Sequence, residues 1–242
     1  MSVSRPSRGC LYLVPNLLGI VPPTAVLPQR TISIARVLEH FVVETPKAAR
    51  QFIKMLEPPR PLQTISFRAL DANAPPERLA ELLSPALAGH DIGVLSDAGC
   101  PGIADPGARV VSAAHDAGVR VVPLVGPSAI LLALMASGMN GQQFAFHGYL
   151  AVKPDARARD LKALDDALAR TGATQIFIET PYRNDAIVAA VLTACRRSTR
   201  FCVAVDLTLP SEQVTSLTIG EWRRNPAPAI SRRPAIFLLG QG

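Results

Sequence analysis

Residues 94–107 read V-L-S-D-A-G-C-P-G-I-A-D-P-G. An apolar run suited to a buried strand passes directly into three glycines, two prolines and two aspartates. A helical pattern follows: Val110, Val111, Ala114 and Ala117 recur at i, i+3, i+4 spacing, and Gly118 stops it. Strand, glycine-rich loop, helix is the arrangement with which open α/β sheets bind ligands, at the carboxyl ends of their strands. Gly99 and Gly102 permit positive φ and bare backbone, Pro101 and Pro106 stiffen the loop, and Asp105 stands where it can cap the next helix. A tight connection capped by an aspartate would account for one such loop. A second, Val125-Gly126-Pro127-Ser128, again joins strand to helix with Ser128 at the N-cap position. Two neighbouring loops of this kind make a cleft wall and favour a ligand.

Outward from this stretch, candidate strands at 10–15, 41–45, 62–67, 91–96 and 119–125 alternate with helical patterns at 31–40, 47–56, 76–88 and 107–117. Strands apolar on both faces, joined by helices, predict a parallel sheet with helices covering it. After a helix over 128–138 the pattern changes. Strands at 144–150, 174–180, 201–208, 213–219 and 234–239 enclose helices at 157–170 and 183–196. Only L-P-S-E separates two of these strands, a hairpin-length link, so the second sheet is expected to be mixed. The expectation is an α/β protein of two domains, 9–126 with a parallel sheet and 127–242 with a mixed one.

Composition narrows the function classes. A hydrophobic content of 48% over 242 residues excludes a disordered chain. The net charge of +6, from 25 basic and 19 acidic residues, allows an anionic partner such as RNA without requiring one. Cys10, Cys100, Cys195 and Cys202 form no C-x-x-C pair, which argues against zinc and for a reducing, cytoplasmic setting. The N-terminal M-S-V-S-R-P-S-R-G lacks the apolar core of a signal peptide and is expected to be a frayed tail. Val121 to Val152 carries no charge, yet Pro123, Gly126, Pro127, Gly138 and Gly141 interrupt it. It reads as strand, turn and buried helix rather than a membrane span. Neither a P-loop nor a G-x-G-x-x-G fingerprint is present, and neither glycine loop holds a basic residue, so the ligand need not be a polyphosphate.

Four blocks carry a resemblance: S-D-A-G-C-P-G-I-A-D-P-G (96–107), P-L-V-G-P-S-A (123–129), F-A-F-H-G-Y-L (144–150) and I-F-I-E-T-P-Y-R (176–183). In order and spacing the chain, from about residue 10 onward, resembles the tetrapyrrole methylase superfamily, most of all its ribosomal-RNA ribose 2′-O-methyltransferase branch. The resemblance implies two α/β domains, a homodimer, and S-adenosylmethionine folded into an interdomain cleft, with S-adenosylhomocysteine as product. It implies that Ser96, Ala98, Gly99, Cys100, Pro101 and Ile103 form a cofactor loop, with Gly126, Pro127 and Ser128 beside it. In the second domain it implies contacts from Ile178, Thr180, Asp206, Leu207, Pro234 and Ala235 to adenine and ribose.

The chain departs from the RNA-methylating branch at N-L-L-G-I-V-P-P (16–23), where G-N-L-G-D is usual, and at V-E-T-P-K (43–47), where A-E-D-T-R is usual. The lysine common after L-T is Leu209. These departures leave a tetrapyrrole or other small substrate, or a silent cofactor-binding paralogue, as alternatives to RNA. Glu44, Asp97 and Glu179 are the candidate catalytic carboxylates. Glu44 can orient substrate or accept its proton, or simply cap the helix after Pro46; Asp97 can bond substrate or its own loop; Glu179 can act on substrate or pair with Arg183. His147 reads as a satisfied core residue. Lys47 and Arg50, and the arginines at 196, 197, 200, 223, 224, 232 and 233, can meet phosphate or lie on a solvated face.

Overall fold

The computed structural model describes residues 8–225 and 230–242. Of the expected N-terminal tail, residues 1–7 lie outside the described residues, whereas Arg8 and Gly9 are anchored. The Arg8 guanidinium donates to the Ala117 carbonyl. Gly9 N donates to Ala86 O at 2.9 Å, and a Cβ on Gly9 would fall 2.0 Å from His90 O. The chain divides into two compact units, one ending at Ser128 and the other beginning at Ala129.

The first unit runs β1 (Cys10–Val14), α1 (Gln29–Ala35), β2 (His40–Val43), α2 (Pro46–Met55), β3 (Ser66–Ala69), α3 (Pro76–Leu87), β4 (Ile92–Leu95), α4 (Gly107–Asp116) and β5 (Arg120–Pro123). Its five strands are all parallel in the order β3-β2-β4-β1-β5. Central β4 is buried throughout, which is why I-G-V-L has no polar alternation. Helices supply their apolar stripes, such as Leu79, Leu82, Leu83 and Ala86 on α3, to a core with Leu11, Val42, Ile92, Val94 and Val110. β5 is an edge strand and tolerates Pro123 there. Because every strand points the same way, the carboxyl ends of β1, β2, β4 and β5 share one edge of the sheet.

The second unit runs α5 (Ala129–Ser137), β6 (Phe144–Tyr149), α6 (Pro154–Thr171), β7 (Thr174–Ile178), α7 (Asn184–Ala194), β8 (Arg200–Val205), β9 (Gln213–Thr218), α8 (Ile219–Trp222) and β10 (Ala235–Gly240). Its sheet is mixed, in the order β6-β7-β10-β8-β9, with β6 parallel to β7 and the other pairs antiparallel. Phe201 and Phe237 stack at 6.1 Å, Phe177 and Phe237 at 5.6 Å. The buried Trp222 donates Nε1–H to Phe201 O at 2.8 Å, so its one polar group is satisfied inside the core.

Several elements differ from the sequence expectations. The run 62–67 begins as a single 3-10 turn, Leu62–Thr64, after Pro61, and β3 starts only at Ser66. The pattern at 31–40 overshoots: α1 starts earlier, after Pro28, and β2 takes over at His40. α8 is too short to show a period, although its capping box, Thr218 with Glu221, is complete. α5 is not fully buried, since Met135 is 79% and Leu131 52% exposed. β6 is an edge strand, so His147 is an exposed residue rather than a core one, with a ring nitrogen 2.8 Å from Gln175 Oε1.

Candidate functional site

At the carboxyl edge of the first sheet, Gly99, Gly102 and Ala104 all have positive φ, at 68°, 82° and 62°. Three left-handed residues within six fold the loop back on itself. Its acceptors are occupied from inside. Asn16, at the end of β1, sends Nδ2 to Ser96 O and Asp97 O, both at 3.0 Å. Asn16 N reaches Gly99 O at 2.9 Å, and Ser96 Oγ donates to Ala98 O at 3.0 Å. Asp105 receives Gly102 N at 2.9 Å and Gly107 N at 2.6 Å, closing the loop onto the start of α4, although Pro106 rather than Asp105 stands at the N-cap. Burial pushes the Asp105 carboxyl above its ordinary pKa, and those two amides partly oppose the shift.

The donors behave differently. Among the described residues, the amides of Ala98, Gly99 and Cys100 donate to no protein acceptor, although Gly99 is buried. Three successive unpaired N–H groups in a left-handed turn form a concavity for an acceptor-bearing ligand. The absence of a side chain at Gly99 has a second cause as well. A Cβ there would lie 3.3 Å from Leu18 Cδ2 and 3.7 Å from Pro127 O, so glycine lets two neighbouring loops close on this one. Gly126 is held more tightly, since its Cβ would be 2.3 Å from Pro15 Cβ. Ser128 directly precedes α5. Pro101 is buried and Ile103 exposed. The Cys100 thiol is pushed above its ordinary pKa, first by burial and then by Asp105, so no reactive thiolate is set up here.

The structure joins two of the candidate carboxylates. Asp97 accepts Thr45 N at 3.2 Å and Thr45 Oγ1 at 2.7 Å, while Glu44 Oε2 accepts Asp97 N at 3.0 Å. Glu44 therefore braces the β4–α4 loop and does not cap α2, whose N-cap Thr45 makes no side-chain cap bond. Among the described residues, Glu44 Oε1 has no partner and the residue is exposed. Sequence reasoning missed Asn16 and Thr45, which organise the edge. Their signal is positional only: each lies one or two residues beyond the end of a parallel strand.

In the second unit, the carboxyl ends of β7 and β8 and the start of β10 gather the other candidates. Glu179 is buried and pairs with Arg183 Nη2 at 2.5 Å. The same Oε2 accepts Thr180 N at 2.7 Å. Asp206 N donates to Pro234 O at 2.9 Å, and Asp206 Oδ2 accepts Ser211 Oγ and Arg233 Nε, both at 2.8 Å. Asp206, Thr208 and Arg232 have φ of 50°, 73° and 61°. They are three of the five non-glycine residues with positive φ among those described, and for β-branched Thr208 this is an outlier. Three of the six buried polar atoms without a partner among the described residues lie here too: Glu179 Oε1, Asn184 Oδ1 and Thr208 Oγ1. Strain and unpaired acceptors are thus concentrated at these strand ends, the pattern that functional sites often show. Ile178, Leu207 and Ala235 flank these groups along the chain.

The chain is similar to known proteins over most of its length. A family model described as Tetrapyrrole (Corrin/Porphyrin) Methylases matches residues 29–222. The chain is 31% identical over 217 residues to "Ribosomal RNA small subunit methyltransferase I" of Synechocystis sp., covering 85% of this chain and 69% of that one. The protein of the same name from Xylella fastidiosa is 31% identical over 231 residues, covering 96% and 80%. Among solved structures, the methyltransferase CobJ shares the fold with a TM-score of 0.63 at 16% identity, covering 97% of this chain and 95% of that one. Uroporphyrin-III-C-methyltransferase from Thermus thermophilus does so with 0.54 at 18%, covering 96% and 94%.

Proposed function

The chain belongs to the tetrapyrrole (corrin/porphyrin) methylase family, and from that premise we propose that it methylates a ribose hydroxyl of small-subunit ribosomal RNA with S-adenosylmethionine. It is a methyltransferase. The observation that carries the cofactor assignment is the run of three amides, Ala98 to Cys100, without protein acceptors. They suit a carboxylate, which the amino-acid end of S-adenosylmethionine possesses. The unpaired acceptors Glu179 Oε1 and Thr208 Oγ1 suit the hydroxyls and amine of its nucleoside end. Ser96, Pro101, Ile103, Gly126, Pro127 and Ser128 support the first set, and Ile178, Thr180, Asp206, Leu207, Pro234 and Ala235 the second.

Bound S-adenosylmethionine supplies an electrophilic methyl group on sulfur. The chain's own work is to align the accepting hydroxyl, a contribution worth roughly 7–11 kcal/mol when orientation is good, and to receive its proton. Of the three carboxylates, Glu44 is the one whose free oxygen is exposed, and it takes the substrate-orienting and proton-accepting role. Asp97 is a positioning residue that ties Thr45 to the cofactor loop. Glu179 holds its own loop through Arg183. The relatives named for ribosomal RNA and the net charge of +6 support an RNA substrate. Exposed Leu131 and Met135 on α5, whose residues are apolar up to Ser137, support a homodimer. Among the described residues no helix is long and apolar enough to cross a membrane, and the cysteines are all free, in keeping with a cytoplasmic setting.

Incubation with methyl-tritiated S-adenosylmethionine should transfer label to small-subunit ribosomal RNA, at a ribose resistant to alkali. Label on a tetrapyrrole precursor and none on RNA would overturn the substrate assignment and leave the cofactor assignment standing.

A further inference from the structure

A groove of about 240 Å³ opens on the same carboxyl edge of the first unit, beside the cofactor loop. Leu17, Ile20, Gln51, Phe52 and Met55 line it together with Asp97. Ile20 is 94% exposed and Met55 is exposed as well, so apolar side chains edge the opening. Its volume is below the roughly 300–1,000 Å³ of sites for drug-sized ligands. That is room enough for a ring the size of a nucleobase.

The charges on α2, beside the groove, are of one sign, with exposed Glu44 and Glu57 just beyond its two ends and Asp97 in the groove itself. α2 contains Lys47, Arg50 and Lys54 and no acidic residue. All three are exposed, and none has an ion-pair partner among the described residues. A helix advances about 100° per residue, so Lys47 and Lys54 lie within about 20° of each other around the axis, with groove-lining Gln51 beside them. Arg50 lies over the Phe67 ring at 5.3 Å, next along the same face. Like charges at this spacing repel, and Lys47 stands in the first helical turn, where the backbone dipole favours an anion. An anionic chain along this face relieves both conflicts.

Building on the RNA reading above, we infer that the α2 face and this groove are the RNA-docking surface. Lys47, Arg50 and Lys54 track the phosphates of a single-stranded segment, and one unstacked base enters the groove between Ile20 and Met55. A single strand is favoured because a base held in a duplex must first lose its pairing and stacking, at a cost of a few kcal/mol, before it can enter.

The test is fluorescence titration of a labelled single-stranded RNA, at several salt concentrations with S-adenosylhomocysteine present, against wild type and Lys47→Ala/Lys54→Ala. The double variant should bind more weakly, and its slope of log affinity against log salt should be shallower by about 1.4, two single-strand phosphate contacts at about 0.7 each. S-adenosylhomocysteine affinity and the circular dichroism spectrum should not change. Ile20→Ser, which adds no charge, should weaken RNA binding at an unchanged slope. A wild-type slope in the double variant, with methyl transfer to RNA intact, overturns the docking surface and spares the substrate assignment. No transfer to RNA by wild type overturns both. Equal binding of a duplex of the same sequence, or equal slope loss with polyglutamate as the probe, overturns the single-stranded RNA assignment.

Discussion

The β4–α4 loop of the first unit and the strand-end cluster of the second present opposite hydrogen-bonding characters. In the first, the side chains of Asn16 and Ser96 occupy the loop's acceptors, Asp105 takes up the amides of Gly102 and Gly107, and three main-chain donors stay open. In the second, main-chain and arginine donors converge on Glu179 and Asp206, and side-chain acceptors stay open. The first obtains its left-handed turns mainly from glycine, at little steric cost. The second forces Asp206, Thr208 and Arg232 into that region, where each non-glycine residue costs about 1–2 kcal/mol. The difference teaches that a donor surface can be made from bare backbone, whereas an acceptor surface needs side chains and therefore strained residues to carry them.

The largest effect should break the second region. Arg183→Ala leaves the buried Glu179 carboxylate without its cation, and loss of one partner from a buried pair costs about 3–5 kcal/mol. Urea unfolding should show that loss; a change below about 1 kcal/mol would mean the pair is not what holds the cluster. Next, Gly99→Leu should break the first region. Its positive φ and the approach to Leu18 displace the 98–100 amides. Calorimetry should show S-adenosylhomocysteine affinity reduced by at least about tenfold, near 1.4 kcal/mol, in a protein that still unfolds cooperatively. Unchanged affinity removes this loop from the site.

Thr208→Gly sharpens the contrast by releasing strain where the cluster stores it. Stability should rise by about 1 kcal/mol, while cofactor affinity falls as Oγ1 is lost; a rise in both would show that the strain serves no binding function. The smallest effect concerns Asp105. Its carboxyl is raised by burial, so the folded state holds the proton more tightly than the unfolded chain. Asp105 therefore favours the fold below the unfolded value of about 3.9, and this contribution is lost as pH rises through the folded value. Asp105→Asn should remove this loss, so that its stability relative to wild type rises as pH increases above about 4, read by thermal unfolding at stepped pH. A relative stability that falls over the same range would reverse the sign of the burial effect.

The parallel and mixed sheets were legible because strand burial leaves a local record: continuous apolar runs such as I-G-V-L and F-C-V-A-V, and the short L-P-S-E link. The turn before β3, the four-residue α8 and the exposed side of α5 were not, because one turn has no period and an apolar helix does not say which of its faces is covered. The β4–α4 loop was legible since glycine, proline and aspartate each act on their own backbone. Asn16 and Thr45 behave otherwise, because their partners are fixed by which strands lie side by side, whereas the Arg183–Glu179 pair, four residues apart, was among the readings the sequence offered.

The order of apolar runs, loops and helical stripes thus settled the fold class, since each depends on neighbours a few residues apart. Folding alone settled which donors and acceptors remain open, because that follows from groups brought together across long separations, as when Asn16 meets Ser96 and Asp97. A hydrogen bond saturates its partners. What is left over for a ligand is known only after every internal pairing has been made.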